Sequence, residues 1–233
     1  MSYLICGTGA IAQALARRLK DRASSIVVAG RSVDKMTDVA CKKIEVDFGR
    51  PGEVSAALAG NLPSDLKGMA YCVGSAVMKP FRGVRPDECV EAFNLNAVSA
   101  IETVRGALPE LKKNKGSVVL FSSIAVQRGF ANHLTIGASK GAVEGIARSL
   151  AAELAPSVRV NAIAPSLTTG AAITAPLTSN EKTAEKIAAA HPLGRLGTPD
   201  DSAALAALLL ADDASWITGH VFGVDGGRAA IIR

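Results

Sequence analysis

Aromatic side chains are scarce in this sequence, 4% of 233 residues, with one tryptophan and two tyrosines. That scarcity argues against a surface of stacking platforms for single-stranded nucleic acid. The net charge is +5, yet the cations are dispersed. Arg17, Arg18, Lys20 and Arg22 end one helical pattern, and Lys112, Lys113 and Lys115 end another. Cations there complement the helix dipole, so a solvated face explains them better than a nucleic-acid partner does. The four cysteines (Cys6, Cys41, Cys72, Cys89) form no C-x-x-C pair and no metal-ligand spacing, so no metal is expected. Cys6 and Cys72 sit in apolar runs that read as buried strands, where free thiols pack as small hydrophobes. No apolar run reaches the roughly 20 residues a membrane-spanning helix needs, and no basic stretch leads into a long apolar segment. The expectation is a reduced, cytoplasmic protein without a membrane partner.

What the chain does have is 48% hydrophobic residues, enough to bury one sizeable core, and a single domain over residues 1–233 is expected. Short apolar runs alternate with longer helical patterns from end to end. Tyr3–Cys6, Ser25–Ala29, Lys43–Val46, Met69–Val73, Ser117–Phe121, Arg159–Ile163 and His220–Val224 read as strands. They are too uniformly apolar for a sheet wetted on one face. Ile11, Ala14, Leu15 and Leu19 trace one helical stripe, and Ile136, Val143, Ala147, Leu150 and Leu154 another. Thr198-Pro199-Asp200-Asp201 reads as a helix start, with Thr as N-cap, Pro at the first helical position and Asp three residues after the cap. Such alternation predicts an α/β fold, a Rossmann-type doubly wound, seven-stranded parallel sheet with helices on both faces.

The first strand runs into Gly7-Thr8-Gly9-Ala10-Ile11-Ala12 and then a helix, a G-x-G-x-x-A pattern in strand–turn–helix context. Gly7 permits the tight turn, Gly9 lets backbone approach a pyrophosphate at the helix N-terminus, and Ala12 allows close helix–strand contact. Thr8 and Ile11 belong to the same loop. The second strand ends at Gly30-Arg31-Ser32, where an NAD site would carry a carboxylate for the ribose 2′-hydroxyl. An arginine can instead grip a 2′-phosphate by paired hydrogen bonds. Arg31 and Ser32 favour NADP(H) over NAD(H), the competing reading being a surface arginine in a loop.

Further motifs give the whole chain its resemblance to the short-chain dehydrogenase/reductase family. These are Asp47 closing the third strand, Tyr71-Cys72-Val73-Gly74, Asn96 within Phe93-Asn94-Leu95-Asn96, Phe121-Ser122-Ser123, Gly137-Ala138-Ser139-Lys140-Gly141, Arg159–Pro165, the stretch from His191 to Asp201, and Val224-Asp225-Gly226-Gly227. The resemblance implies an oxidoreductase that moves hydride between a nicotinamide and a carbonyl or alcohol. It assigns Asn96, Ser123 and Lys140 to the catalytic set. It assigns Gly7, Thr8, Gly9, Ile11, Arg31, Ser32, Asp47, Val73, Gly74, Lys140, Pro165, Leu167 and Thr168 to the cofactor. It also implies a homodimer or homotetramer built through two long helices, about Pro86–Leu111 and Leu134–Ala155. The segment from about Thr168 to Pro192 would be the substrate loop.

The departures cluster on function. The glycine turn is a residue shorter than the family's and ends in Ala12, both asparagines are lost before Gly74, and Ser166 replaces a glycine. Most consequential, Ile136 stands one helical turn before Lys140, where the family carries its proton-exchanging tyrosine. The spacing puts both on one helical face. Loss of general acid–base help costs roughly 100- to 10,000-fold in rate. His133, three residues earlier, is the leading substitute because imidazole titrates near neutral pH; the competing reading is an ordinary pocket-lining or solvated histidine. Ser123, relayed through water and Lys140, is a further route. Two functions stay open: an NADP(H)-dependent oxidoreductase of a small or medium carbonyl or alcohol with rerouted proton transfer, and an NADP(H)-binding protein without turnover that acts as sensor or assembly partner.

Overall fold

The computed structural model describes residues 1–75, 77–170 and 174–232. Seven strands, β1 (Ser2–Cys6), β2 (Ser25–Gly30), β3 (Lys42–Glu45), β4 (Leu66–Tyr71), β5 (Ser117–Phe121), β6 (Arg159–Pro165) and β7 (Val221–Val224), form one sheet in the order β3-β2-β1-β4-β5-β6-β7. All six pairings are parallel. The helices are α1 (Ala10–Leu19), α2 (Pro51–Leu58), α3 (Pro86–Phe93), α4 (Ser99–Lys113), α5 (Leu134–Leu154), α6 (Ala175–Thr178), α7 (Glu181–Ala189) and α8 (Pro199–Leu210). This is the doubly wound Rossmann-type architecture expected from the alternation.

Successive strand side chains point to opposite faces, and here both faces are dry. Leu4 and Cys6 join a core with Val54 and Leu58 of α2, Val104 and Leu111 of α4, and Val143 and Ala147 of α5. Tyr3 and Ile5 join a second core with Leu15 and Leu19 of α1 and Ala206, Leu209 and Leu210 of α8. Leu4 and Ile5 are both fully buried, and each contributes about 1.5–3 kcal/mol relative to exposure. Both faces must be apolar, which is why the strands read as unbroken runs rather than alternating ones.

Thr198 opens α8 with a capping box, Asp201 accepting from the Thr198 N–H at 2.7 Å. Arg195 beside it, at 2.7 and 2.8 Å, holds the Asp201 carboxyl well below the usual carboxylate range. One expectation needs correction and two gain detail. The apolar run at Met69–Val73 leaves the sheet after Tyr71, so Cys72 and Val73 belong to the loop beyond β4. The long helix expected over Pro86–Leu111 is continuous but underwound at its middle, where Asn94–Val98 forms a wider π-helical turn between α3 and α4. The substrate loop contains α6 and α7, while its residues 171–173 lie outside the described ones.

The winding direction reverses between β1 and β4, and ligands bind in the crevice outside the strand ends at such a switch point. A cavity of about 680 Å³ opens there, lined by the loop after β1, the loop after β4 and the ends of β5 and β6.

Candidate active site

The glycine loop shapes one end of this cavity. Gly7 has φ +99°, a left-handed conformation suited to glycine, and its N–H donates to the Ala29 carbonyl at 2.8 Å. A Cβ at Gly7 would lie 3.3 Å from Val73 Cγ2 and 3.4 Å from the Cys72 carbonyl carbon. Gly9 caps α1 in extended conformation without a side-chain partner, and a Cβ there would meet nothing within 4 Å. The first turn of α1 holds no acidic residue. Its orphan N–H groups and positive dipole end therefore face open space, the arrangement that attracts a phosphate. Gln13 Nε2 donates to the Thr8 carbonyl at 2.9 Å and steadies the loop. Ala12 is fully buried between helix and sheet.

Arg31, Ser32 and Asp47 line the rim beyond Gly30. Arg31 Nε lies 3.8 Å from Asp47 Oδ1, with the arginine side chain 75% exposed, so the contact is loose enough to open for another anion. Asp47 Oδ1 also accepts from the Gly49 N–H at 2.9 Å, which fixes the carboxylate. Lys35 joins this rim as a second cation; it sits one short turn after Arg31 and carried no signal of its own in the sequence.

At the centre, Gly74 is wedged between two buried polar groups. A Cβ there would lie 2.8 Å from Asn96 Oδ1 and 2.9 Å from Lys140 Nζ. Asn96 belongs to the π-helical turn and is fully buried behind Gly74 and Ser75. Its Nδ2 donates to the Ala92 carbonyl at 2.8 Å and to Ser75 Oγ at 3.3 Å, while its Oδ1 accepts from the Ser75 N–H at 3.3 Å. Lys140 lines the cavity, buried, and its Nζ donates to the Phe121 carbonyl at 2.9 Å. Burial pulls the Lys140 pKa down to about 8, partly opposed by the Cys72 thiol. Burial in turn pushes Cys72 up to about 12, against the pull of Lys140.

The two serines after β5 have different tasks. Ser122 turns into the body, donating to Glu144 Oε1 at 2.9 Å. Ser123 is half-buried on the cavity wall and accepts from the Ala125 N–H at 3.2 Å. Ile136 lies in the first turn of α5, half-buried, and also lines the cavity. It faces the crevice rather than joining the core stripe that helical periodicity suggested. His133 is the N-cap residue of α5, and its Nδ1 lies 2.7 Å from the Ala131 carbonyl. A carbonyl only accepts, so Nδ1 carries the hydrogen and Nε2 is left with a lone pair. The His133 ring tilts against Phe130 with ring centroids 5.3 Å apart, and the Arg228 guanidinium carbon lies 4.9 Å from the centroid of the same Phe130 ring. Phe130 and Arg228 were not singled out in the sequence, being brought together only by the fold.

Pro165, Leu167 and Thr168 form the wall at the end of β6. Ser166 Oγ lies 2.7 Å from Nε2 of the buried His191, whose Nδ1 lies 2.7 Å from the Ile187 carbonyl. By the same logic His191 Nδ1 is the donor, so Ser166 donates to Nε2. Neither tyrosine lines the cavity. Tyr71 donates to the Leu95 carbonyl at 2.6 Å, and burial pushes its pKa upward; Tyr3 donates to Met1 Sδ at 3.3 Å.

A family model described as enoyl-(acyl carrier protein) reductase matches residues 7–229. Dehydrogenase/reductase SDR family member 4 of the pig (Sus scrofa) is 30% identical, the match covering 99% of this chain and 87% of that protein. The chain belongs to the short-chain dehydrogenase/reductase family. Another relative in this family, named inactive 2-(S)-hydroxypropyl-CoM dehydrogenase 2, from Xanthobacter autotrophicus, is 33% identical over 81% of this chain and 85% of its own length. Among solved structures, a candidate NAD(P)-dependent gluconate 5-dehydrogenase from Beutenbergia cavernae, with NADP bound at low occupancy, superposes with a TM-score of 0.91. It is 26% identical and covers 99% of this chain and 97% of that one. Of the residues expected to form this short-chain dehydrogenase/reductase site, Ser123, Lys140 and His133 share the cavity wall, whereas Asn96 stands one layer behind it.

Proposed function

We propose that this oxidoreductase-family chain binds NADP(H) along the switch-point crevice and acts on a small or medium carbonyl or alcohol, exchanging the substrate proton through a group other than residue 136. The observation that carries the proposal is the uncapped N-terminus of α1, open above Gly9, with Arg31, Ser32 and Lys35 clustered beyond it. Such a cradle suits a pyrophosphate and a 2′-phosphate together.

Gly7, Thr8, Gly9 and Ile11 hold the pyrophosphate, and Arg31 with Ser32 holds the 2′-phosphate. Asp47 stands at the adenine, while Val73, Gly74, Pro165, Leu167 and Thr168 frame the nicotinamide. Lys140 donates to the ribose hydroxyls, a role that needs no tyrosine. The bound nicotinamide supplies or accepts the hydride. Ser123 holds the substrate oxygen, and Asn96 orders the backbone and water beside Lys140. His133 Nε2 takes the hydroxyl proton in the oxidising direction and returns it in the reducing one. NADPH and NADH titrations of the wild type and Arg31→Asp test the cofactor assignment. NADPH binding should weaken far more than NADH binding, and equal losses for both would refute the role of Arg31.

A second reading, cofactor binding without turnover, is favoured by Ile136 itself and by the relative named inactive. Wild type and Ile136→Tyr, compared on a carbonyl panel with NADPH, separate the two. Turnover confined to the variant would eliminate the enzymatic reading. Exposed Val90 and Phe93 on α3 and Leu134 on α5 support assembly with a second copy, as a dimer or tetramer.

A further inference from the structure

The substrate end of the cavity is mostly apolar, formed by Met78, Phe130, Ile136, Leu177 and Ile187, with one full cation, Arg228, on its wall. Arg228 is half-buried, and among the described residues its guanidinium has no ion pair with any carboxylate. The nearest candidate, Asp225, has both oxygens occupied by backbone, Oδ1 accepting from the Gly227 N–H at 2.9 Å and Oδ2 from the Ala229 N–H at 2.7 Å. A second arginine, Arg128, is held against Arg228 by donating to its carbonyl oxygen. Burial and then the Arg128 charge pull the Arg228 pKa below the ordinary guanidinium range, opposed in smaller part by the Asp225 carboxylate. The only carboxylate among the described lining residues is Asp47, at the opposite, 2′-phosphate end.

Two like charges kept together beside an apolar pocket, with one backbone-engaged carboxylate near them and no ion pair formed, disfavour each other unless a further anion joins them. The guanidinium carbon sits over the Phe130 ring at 4.9 Å from its centroid, a cation–π contact that leaves the N–H groups available for a planar oxyanion. We infer that Arg228 is a specificity-determining residue that anchors a carboxylate on the substrate, so that the preferred substrate is an oxo or hydroxy acid whose carboxylate reaches past His133 and Phe130. Arg128 reinforces the field from the rim. The inference rests on the oxidoreductase reading of the cavity and names the substrate class for it.

The test uses protein saturated with NADP(H), titrated calorimetrically with pyruvate, acetoacetate, levulinate and 5-oxohexanoate and with the methyl ester of each. Each ester keeps the oxo group and removes the charge. A charge-assisted contact should make at least one acid bind tenfold or more tightly than its ester. Arg228→Gln should bring acid and ester within about twofold, while Arg228→Lys, which keeps charge but loses the fork, should retain part of the preference. NADPH affinity and the melting temperature should be unchanged in both variants. Equal binding of acids and esters by the wild type, no acid bound at all, or a preference that survives Arg228→Gln, would each overturn the inference. Failure of the dinucleotide itself to bind would instead overturn the functional reading beneath it, and the two results are read in separate titrations.

Discussion

Replacing Gly74 by alanine adds one methyl group at the point where Asn96 and Lys140 meet. The backbone of Gly74 is not left-handed, so alanine is conformationally admissible and the effect is purely steric. The new Cβ would stand 2.8 Å from Asn96 Oδ1 and 2.9 Å from Lys140 Nζ, both closer than real Cβ contacts come. Asn96 is fixed by its bonds to Ala92 and Ser75, so the lysine must move. Overpacking of this kind costs about 1–3 kcal/mol. Breaking the 2.9 Å bond from Lys140 to the Phe121 carbonyl strands a buried donor, a loss of the same order. The two are alternatives rather than additions, because movement that relieves the clash is what breaks the bond. Urea denaturation should therefore show Gly74→Ala destabilised by roughly 2 kcal/mol. In a double-mutant cycle with Lys140→Ala only the part of that cost due to Nζ should vanish, because Asn96 Oδ1 still stands 2.8 Å from the new Cβ. NADPH affinity should fall in parallel in the single variant. A Gly74→Ala protein within about 0.5 kcal/mol of wild type, with unchanged nucleotide binding, would refute this reasoning.

Lys140 also gives stability a pH dependence. Its folded pKa of about 8 lies below the ordinary 10.5, so below pH 8 both states carry the charge and its burial cost is fully present. Between 8 and 10.5 only the unfolded chain keeps the proton, so stability rises with pH, by roughly 3 kcal/mol for this group. Cys72, raised to about 12, opposes the rise above pH 9, so the measurement is the difference between wild type and Lys140→Met without dinucleotide. Parallel curves for the two proteins would dismiss the effect. Ile136→Tyr should raise turnover by roughly 100- to 10,000-fold if proton transfer limits the wild type, as steady-state kinetics would reveal. Arg31→Asp should weaken NADPH by about 10- to 100-fold, read by fluorescence titration, because a charge-assisted pair is lost.

The strands and the glycine loop were legible because each depends on local order: unbroken apolar runs, and glycines where the chain turns sharply. The end of β4 was not, since Cys72 and Val73 continue the apolar run while their backbone has already left β5 for the crevice. Periodicity likewise grouped Ile136 with Val143 and Ala147, but the first turn of α5 overhangs the cavity instead of the sheet. His133 ends the segment before α5 as its N-cap residue, just outside the helix. Phe130 and Arg228 meet across almost half the sequence, and nothing in either neighbourhood announces the other. The Ser166–His191 pair escaped notice for the same reason, although Ser166 itself stood out as a departure from the family.

The π-helical turn at Asn94–Val98 puts a constraint on how this chain can change over time. Each residue advances an α-helix by about 100°. A π-helical turn holds one residue more than an α-helical one, so losing one there would restore ordinary winding and leave α4 near its present angle relative to α3. A residue lost elsewhere in α3 would turn α4 by that angle instead, and Ala100, Val104, Ala107 and Leu111, now fully or almost fully buried, would swing away from the sheet together. Substitutions can drift through both helices, but a single-codon deletion outside the turn cannot pass without dismantling one side of the core. Tolerance of a change in length is therefore confined to this one turn.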